Sequence, residues 1–135
     1  MNDHWSTAYV GIPFEDRGRG WAGCDCWGLV RLVFWDQFKI DLPTYTGSYL
    51  HTDEQAQIDT LLSQAKLSPT WEEVTKPEEY DVAMFRRGHL QTHVGVMVDE
   101  RNVLHMDGED RAKIARVDYG PLRFRLVGYF RNVNR

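Results

Sequence analysis

Two cysteines, Cys24 and Cys26, flank a single aspartate, Asp25, and two of the five histidines, His93 and His105, fall in a stretch where apolar residues alternate. A cysteine does chemistry as its thiolate, and it needs a positive neighbourhood to ionise near neutral pH. Asp25 is a good helix N-cap, and Leu29, Val30, Leu32, Val33 and Phe34 supply an apolar stripe, so a helix is predicted over Asp25 to Gln37. That puts Cys26 in the first turn, where the helix dipole favours an anion and unpaired N–H groups can hold an oxyanion. A histidine beside such a thiol can act as base and then as acid, and a second polar group can fix its tautomer.

The elements that must position these groups follow from periodicity. Asp3 to Val10 is predicted as a short helix capped by Asp3, broken at Gly11-Ile12-Pro13-Phe14, and residues 15–24 as a polar, glycine-rich loop. Pro43 to Thr52 reads as loop, and Asp53 caps a second helix to about Lys66. From Asp81 the period changes to two, with strands expected at 82–86, 92–98, 102–107, 113–118 and 123–131. Helices first and strands after predict an α+β domain with an antiparallel sheet of about five strands.

The hairpin at 92–107 has a testable register. Val94, Val96 and Val98 share a face with Leu104 and Met106 only if opposing residue numbers sum to an even number, for example 98 against 102. That implies a turn at Asp99-Glu100-Arg101, with His93, Gly95, Met97, Val103 and His105 on the other face. Gly95 then lies opposite His105 and leaves room for its ring, and Asp107 lies opposite His93 as a rival for the tautomer-fixing role.

Composition bounds the function. The chain has 135 residues, with 42% hydrophobic and 27% charged side chains, which fits one globular domain over residues 1–135. Net charge is −4, against broad binding to nucleic acid. The charge is uneven: residues 1–80 carry 6 basic and 13 acidic side chains, residues 81–135 carry 10 and 7, and five of those ten bases lie between Arg111 and Arg125. Alternating charges on the wet side of strands explain most of this, and a mildly basic face for an anionic polymer or acidic partner is the alternative. No apolar run is long enough for a membrane span, and Met1 to Trp5 shows no secretory-signal pattern.

A disulfide across one residue would be strained, so both cysteines are expected as thiols. Two cysteines and two histidines also raise a zinc site, but Cys-x-Cys is shorter than the usual ligand spacing, and no metal or cofactor is expected. Trp21 and Trp27 flank Cys26 and are candidates to wall a substrate groove.

These residues match a family pattern. Gly23-Cys24-Asp25-Cys26-Trp27-Gly28-Leu29-Val30 resembles the Asp-Cys-Ser-Gly-Leu-Val motif of the NlpC-type cell-wall peptidases, a papain-like group. Tyr80-Asp81-Val82-Ala83-Met84-Phe85 is similar to their Gly-Asp-Leu-Val-Phe-Phe strand, and Thr92-His93-Val94-Gly95-Val96 with Val103-Leu104-His105-Met106 to their two histidine segments. The chain most resembles small stand-alone members encoded by tailed bacteriophages, with Leu42-Pro43-Thr44-Tyr45 as a further shared piece.

The resemblance implies hydrolysis of the γ-D-glutamyl–diamino acid bond of peptidoglycan stem peptides. It implies a place in a phage tail tip among other tail or hub proteins, where local wall cleavage would aid DNA entry. Cys26 would be the nucleophile, His93 the base and His105 the orienting third member, with Asp25 recognising the stem peptide's amine. There are two departures: the family's serine after the nucleophile is Trp27, and its tyrosine in a Gly-x-Pro-Tyr segment is Phe14. A structural tail-hub protein that keeps the peptidase fold is the competing expectation.

Overall fold

The computed structural model describes residues 4–15, 19–42, 70–87, 90–106 and 110–135. The helix expected at Asp53–Lys66, the loop before it, and Asp3, His51, His89 and Asp107 lie outside the described residues.

A short 3₁₀ helix, Trp5–Tyr9, opens the chain, and its cap is His4, whose side chain accepts the Ser6 N–H at 3.3 Å. The expected α-helix capped by Asp3 is therefore replaced by a tighter, shorter element. Within the stretch expected as loop, β1 (Arg19–Gly20) and β2 (Gly23–Cys24) pair as a small hairpin.

Helix α1, Cys26–Phe38, begins as the sequence requires. The Asp25 carboxylate accepts the Gly28 N–H at 2.7 Å. At the far end Lys39 turns left-handed, at φ 56°, and its N–H bonds back to Trp35 while Ile40 bonds Phe34. Arg31 then ties down the following segment through the Leu42 carbonyl and Asp41.

The remaining strands are β3 (Trp71–Val74), β4 (Val82–Arg87), β5 (Leu90–Met97), β6 (Asn102–Met106), β7 (Ala112–Arg116) and β8 (Leu126–Asn132). They form one antiparallel sheet in the order β3-β8-β4-β5-β6-β7. Six strands replace the expected five. The extra one, Trp-Glu-Glu-Val, is an edge strand paired only with β8, so it needs no alternating burial and leaves no period in the sequence. β8 starts three residues later than expected, because Pro121–Phe124 take a 3₁₀ turn after Gly120, whose φ is 72°.

The hairpin register is the expected one, with Val96 opposite Leu104, Gly95 opposite His105 and Met97 opposite Val103. Each face of the sheet builds a core. Val94, Val96, Val98, Leu104 and Met106 pack with Leu29, Val30, Val33 and Phe34 of α1. Phe85, Met97 and Val103 form a second, smaller core with Val117 and Leu122 on the opposite face.

Candidate active site

The thiol reaches its place through a continuation of the sheet. Gly11 and Ile12 bond Ala112 at the start of β7, Phe14 donates to the Asp110 carbonyl, and Pro13 and Glu15 then bond Cys24. This ladder delivers the chain to Asp25 and Cys26. Gly23 suits this ladder, because a Cβ there would stand 2.8 Å from the Glu15 Cβ. Both cysteines are reduced and buried, Cys26 at 8% exposure. Cys26 opens α1, where first-turn N–H groups and the helix dipole favour negative charge.

The two histidines come from neighbouring strands. His93 Nε2 lies 2.8 Å from His105 Nδ1, with the rings 5.0 Å apart and nearly perpendicular. That contact needs one proton between the two nitrogens, so each ring fixes the other's tautomer. Gly95 makes it possible, since a Cβ there would sit 2.6 Å from Val103 Cγ2 and 3.0 Å from His105 Cβ. His105 is 5% exposed, His93 is half-buried, and the Phe85 ring flanks His93 at 5.7 Å.

The last turns of α1 pack against one end of the sheet: Phe34 meets Trp71 and Phe38 meets Tyr80. Cys26 lies twelve residues back from Phe38, about 18 Å along the helix axis. Phe85, His93 and Leu126 lie in one row across β4, β5 and β8, with Phe85 five residues along the chain from Tyr80.

The other candidates are placed as follows. Asp25 is buried and spends one oxygen on the helix cap. Trp27 is 3% exposed and sits in the α1 core. Trp21 is 48% exposed and stacks on Tyr9 at 4.8 Å, and the Tyr9 hydroxyl donates to Asp36, ten residues along α1 from Cys26. Phe14 is half-buried against the core and bridges to Cys24. Among the described residues, no group of three or more His, Cys, Asp or Glu is arranged to hold a metal ion.

Sequence reasoning gave no role to Arg131, within the expected last strand, or to Arg135; both close on Asp81. Asp81 is fully buried and takes a two-pronged bond from Arg131 at 2.8 and 2.7 Å, with Arg135 at 3.2 Å. Four acceptor directions on one buried carboxylate need several donors, and the Glu78 N–H supplies another. The signal was an arginine near the end of β8 and another at Arg135, charges that by themselves read as a wet edge.

The chain belongs to the NlpC/P60 family, whose model matches residues 11–131. Solved structures share the fold. The NlpC/p60 domain of the peptidoglycan hydrolase SagA is 17% identical, with a TM-score of 0.63 over 93% of this chain and 90% of that one. A lipoprotein-like NLP/P60 protein of Staphylococcus aureus is 18% identical, with a TM-score of 0.69 over 96% of this chain. An NlpC/P60 protein of Bacillus cereus is also 18% identical, with a TM-score of 0.66 over 95% of this chain. The chain spans only 39% and 38% of the latter two. Among curated proteins none matches the sequence.

Proposed function

We propose that the chain, as one unit over residues 1–135, is a cysteine peptidase that hydrolyses peptidoglycan stem peptides at the γ-D-glutamyl–diamino acid bond. The observation that carries this reading is the 2.8 Å His93–His105 contact, beside a sequence that starts α1 at Cys26. Family membership and the fold shared with the NlpC/p60 domain of a peptidoglycan hydrolase support it.

In this mechanism His105 engages Nε2 of His93, so Nδ1 of His93 takes the proton from Cys26 Sγ. The thiolate attacks the amide carbonyl, and first-turn N–H groups hold the oxyanion. His93 returns the proton to the leaving amine, which departs from a thioester acyl-enzyme. The imidazole then activates water, the thioester is hydrolysed, and the thiol is restored. The resemblance assigns Asp25 to the stem peptide's free amine. The two expected groove residues do not line the approach: Trp27 is buried in the α1 core, and Trp21 stacks on Tyr9 beside Asp36. Replacement of the family's serine by Trp27 removes a polar contact with that amine and narrows the acceptable stem.

The Cys-Asp-Cys-Trp and Leu-Pro-Thr-Tyr segments support a place in a phage tail tip, made in the host cytoplasm and acting in the cell envelope with other tail proteins. No helix among the described residues is long and apolar enough to cross a membrane.

The test is mass spectrometry of diaminopimelate-type peptidoglycan incubated with wild type and with Cys26→Ala. Stem-peptide fragments in the wild-type sample alone are expected and identify the bond. No fragments, with a thiol that alkylates slowly near neutral pH, would replace this reading with a structural tail-hub role.

A further inference from the structure

His105 stands between two unlike neighbours. On β5 it faces Gly95, and on β7 it faces Lys113. Directly opposed residues of an antiparallel pair share a face, with Cβ atoms about 4.5–5.5 Å apart. Val94, Val96 and Leu104 belong to the α1 core, so alternation puts His93, His105 and Lys113 on the outer face of the sheet. Ala115, two residues after Lys113, packs on the outer core with Met97 and Val103, as that placement requires. The fold thus sets a lysine beside the buried member of the histidine pair.

The lysine is anchored. Its Nζ lies 2.9 Å from Asp110 Oδ2, and this bond holds the Asp110 carboxyl below the usual carboxylate range. Arg111 reaches the other oxygen of the same carboxylate at 3.4 Å, so two cations here face one anion. The backbone is fixed as well: Phe14 donates to the Asp110 carbonyl, and Ala112 exchanges bonds with Gly11 and Ile12. The other groups packed on this face are apolar: Ala83 and Phe85 from β4, Met97 from β5 and Val103 from β6. A strap, residues 117–125, crosses the face before β8 and buries Val117 and Leu122 there. Its charged groups are occupied. Asp118 pairs with Arg116 at 2.7 Å, the Arg123 guanidinium lies over Phe124, and Arg125 Nε reaches the Pro121 carbonyl at 3.5 Å. Among the described residues, Lys113 is the charged side chain that the register sets directly opposite a histidine of the pair; His93 has Phe85.

Two imidazoles in contact over one proton take up the next proton as a pair, and the positive charge can rest on either ring. A cation close by disfavours the imidazolium beside it. Lys113 adjoins His105, so it drives that charge onto His93. We propose that Lys113, anchored by Asp110, is a positioning residue for the pair: it keeps His105 neutral and confines the imidazolium to His93, the ring that must pass its proton to the leaving amine. This consequence rests on the peptidase reading, but the electrostatic claim is separable.

Two measurements separate them. The first is the imidazole titration of the pair by NMR in Cys26→Ala protein. Lys113→Met is expected to raise the midpoint of the pair by about 0.3–0.8 pH unit. Asp110→Asn, which leaves the lysine without its counter-charge, is expected to lower it. Lys113→Arg keeps the charge and should hold the wild-type midpoint. Salt at about 1 M should shrink both shifts, because the Debye length falls to about 3 Å. The Lys113 and Asp110 side chains are 45% and 52% exposed, so these substitutions leave both cores intact. Shifts of one sign in Lys113→Met and Asp110→Asn, or no shift, overturn the proposal. The second measurement is the pH profile of kcat/KM. Its acid limb should rise in Lys113→Met by the same amount as the imidazole midpoint, and return in Lys113→Arg. A limb that stays in place while the midpoint moves removes Lys113 from the reaction. Wild type that cleaves no stem peptide defeats the peptidase reading, and the titration still decides whether Lys113 sets the charge of the pair.

Discussion

The two ends of α1 contrast in what their polar groups do. At the Lys39 end they serve one another. Tyr9 donates to Asp36, Gln37 donates to both, and Tyr80 donates to Gln37. Trp5 stacks on Tyr80 at 4.5 Å, and Asp81 is enclosed by Arg131 and Arg135. The Cys26 end instead carries a buried thiol on a helix start, and the sheet holds two imidazoles in contact at 2.8 Å. A rigid clasp at one end lets the other hold reactive side chains in geometry that contributes little to stability. The sharpest test of the contrast is whether substitutions at the two ends damage different properties.

The largest effect is expected from His93→Ala, with hydrolysis falling by a factor of about 10²–10⁴ and the unfolding midpoint nearly unchanged. His105→Ala should fall less, because it acts through His93. The readout is the pH profile of Cys26 alkylation, whose midpoint should rise in His93→Ala as the thiolate loses its cationic neighbour. An equal loss in both variants would mean a fully coupled pair, and an unchanged profile would separate His93 from the thiol.

Asp81→Asn reverses the pattern. Removing the charge leaves two arginines facing a neutral buried amide, which should cost about 3 kcal/mol or more in denaturant unfolding. The alkylation profile of the folded fraction should match wild type. A shifted profile would show that the clasp also tunes the thiol.

Gly95→Ala tests the meeting of the two histidine strands. The added methyl collides with Val103 and the Leu104 carbonyl as well as His105, so about 1–3 kcal/mol of stability should be lost, together with hydrolysis. Stability lost without activity would show that the His93–His105 contact tolerates displacement.

The smallest effect lies in alkaline solution. Burial, and then the bond to Asp36, push the Tyr9 hydroxyl above its ordinary value of 10.0. The folded state therefore favours the protonated phenol, and this stabilisation is complete below pH 10 and declines as pH rises above it. Tyr9→Phe should flatten that alkaline decline in urea titrations, at a neutral-pH cost of about 1–2 kcal/mol for the lost bond. An unaltered alkaline slope would assign the decline to other groups, Tyr80 among them, which is also raised by burial.

Much of the site was legible because its signals are local. Asp25 before an apolar stripe specifies the helix start, and that alone gives Cys26 its place in the first turn. The even-sum register of the β5–β6 hairpin follows from side-chain alternation, and it puts His93 and His105 on one face with Gly95 between. Other elements carried no such signal. β3 is a one-sided edge, and the strap to β8 hides its turn behind Pro121 and Gly120. Tyr80 stands where the family motif has glycine, and its φ of 74° explains that glycine. Its strain, about 1–2 kcal/mol, is offset by contacts with Trp5 and Phe38 that lie far away in sequence.

By itself the sequence determined the helix cap, the hairpin register, the shared face of the two histidines and the family pattern, since each depends on residues within a few positions of one another. Tertiary structure alone decided that Trp21 stacks on Tyr9, that two arginines close on Asp81, and that the segment before β8 crosses the outer face of the sheet. These are packing outcomes between distant segments. They depend on shape and burial across the whole fold, and short-range periodicity does not encode them.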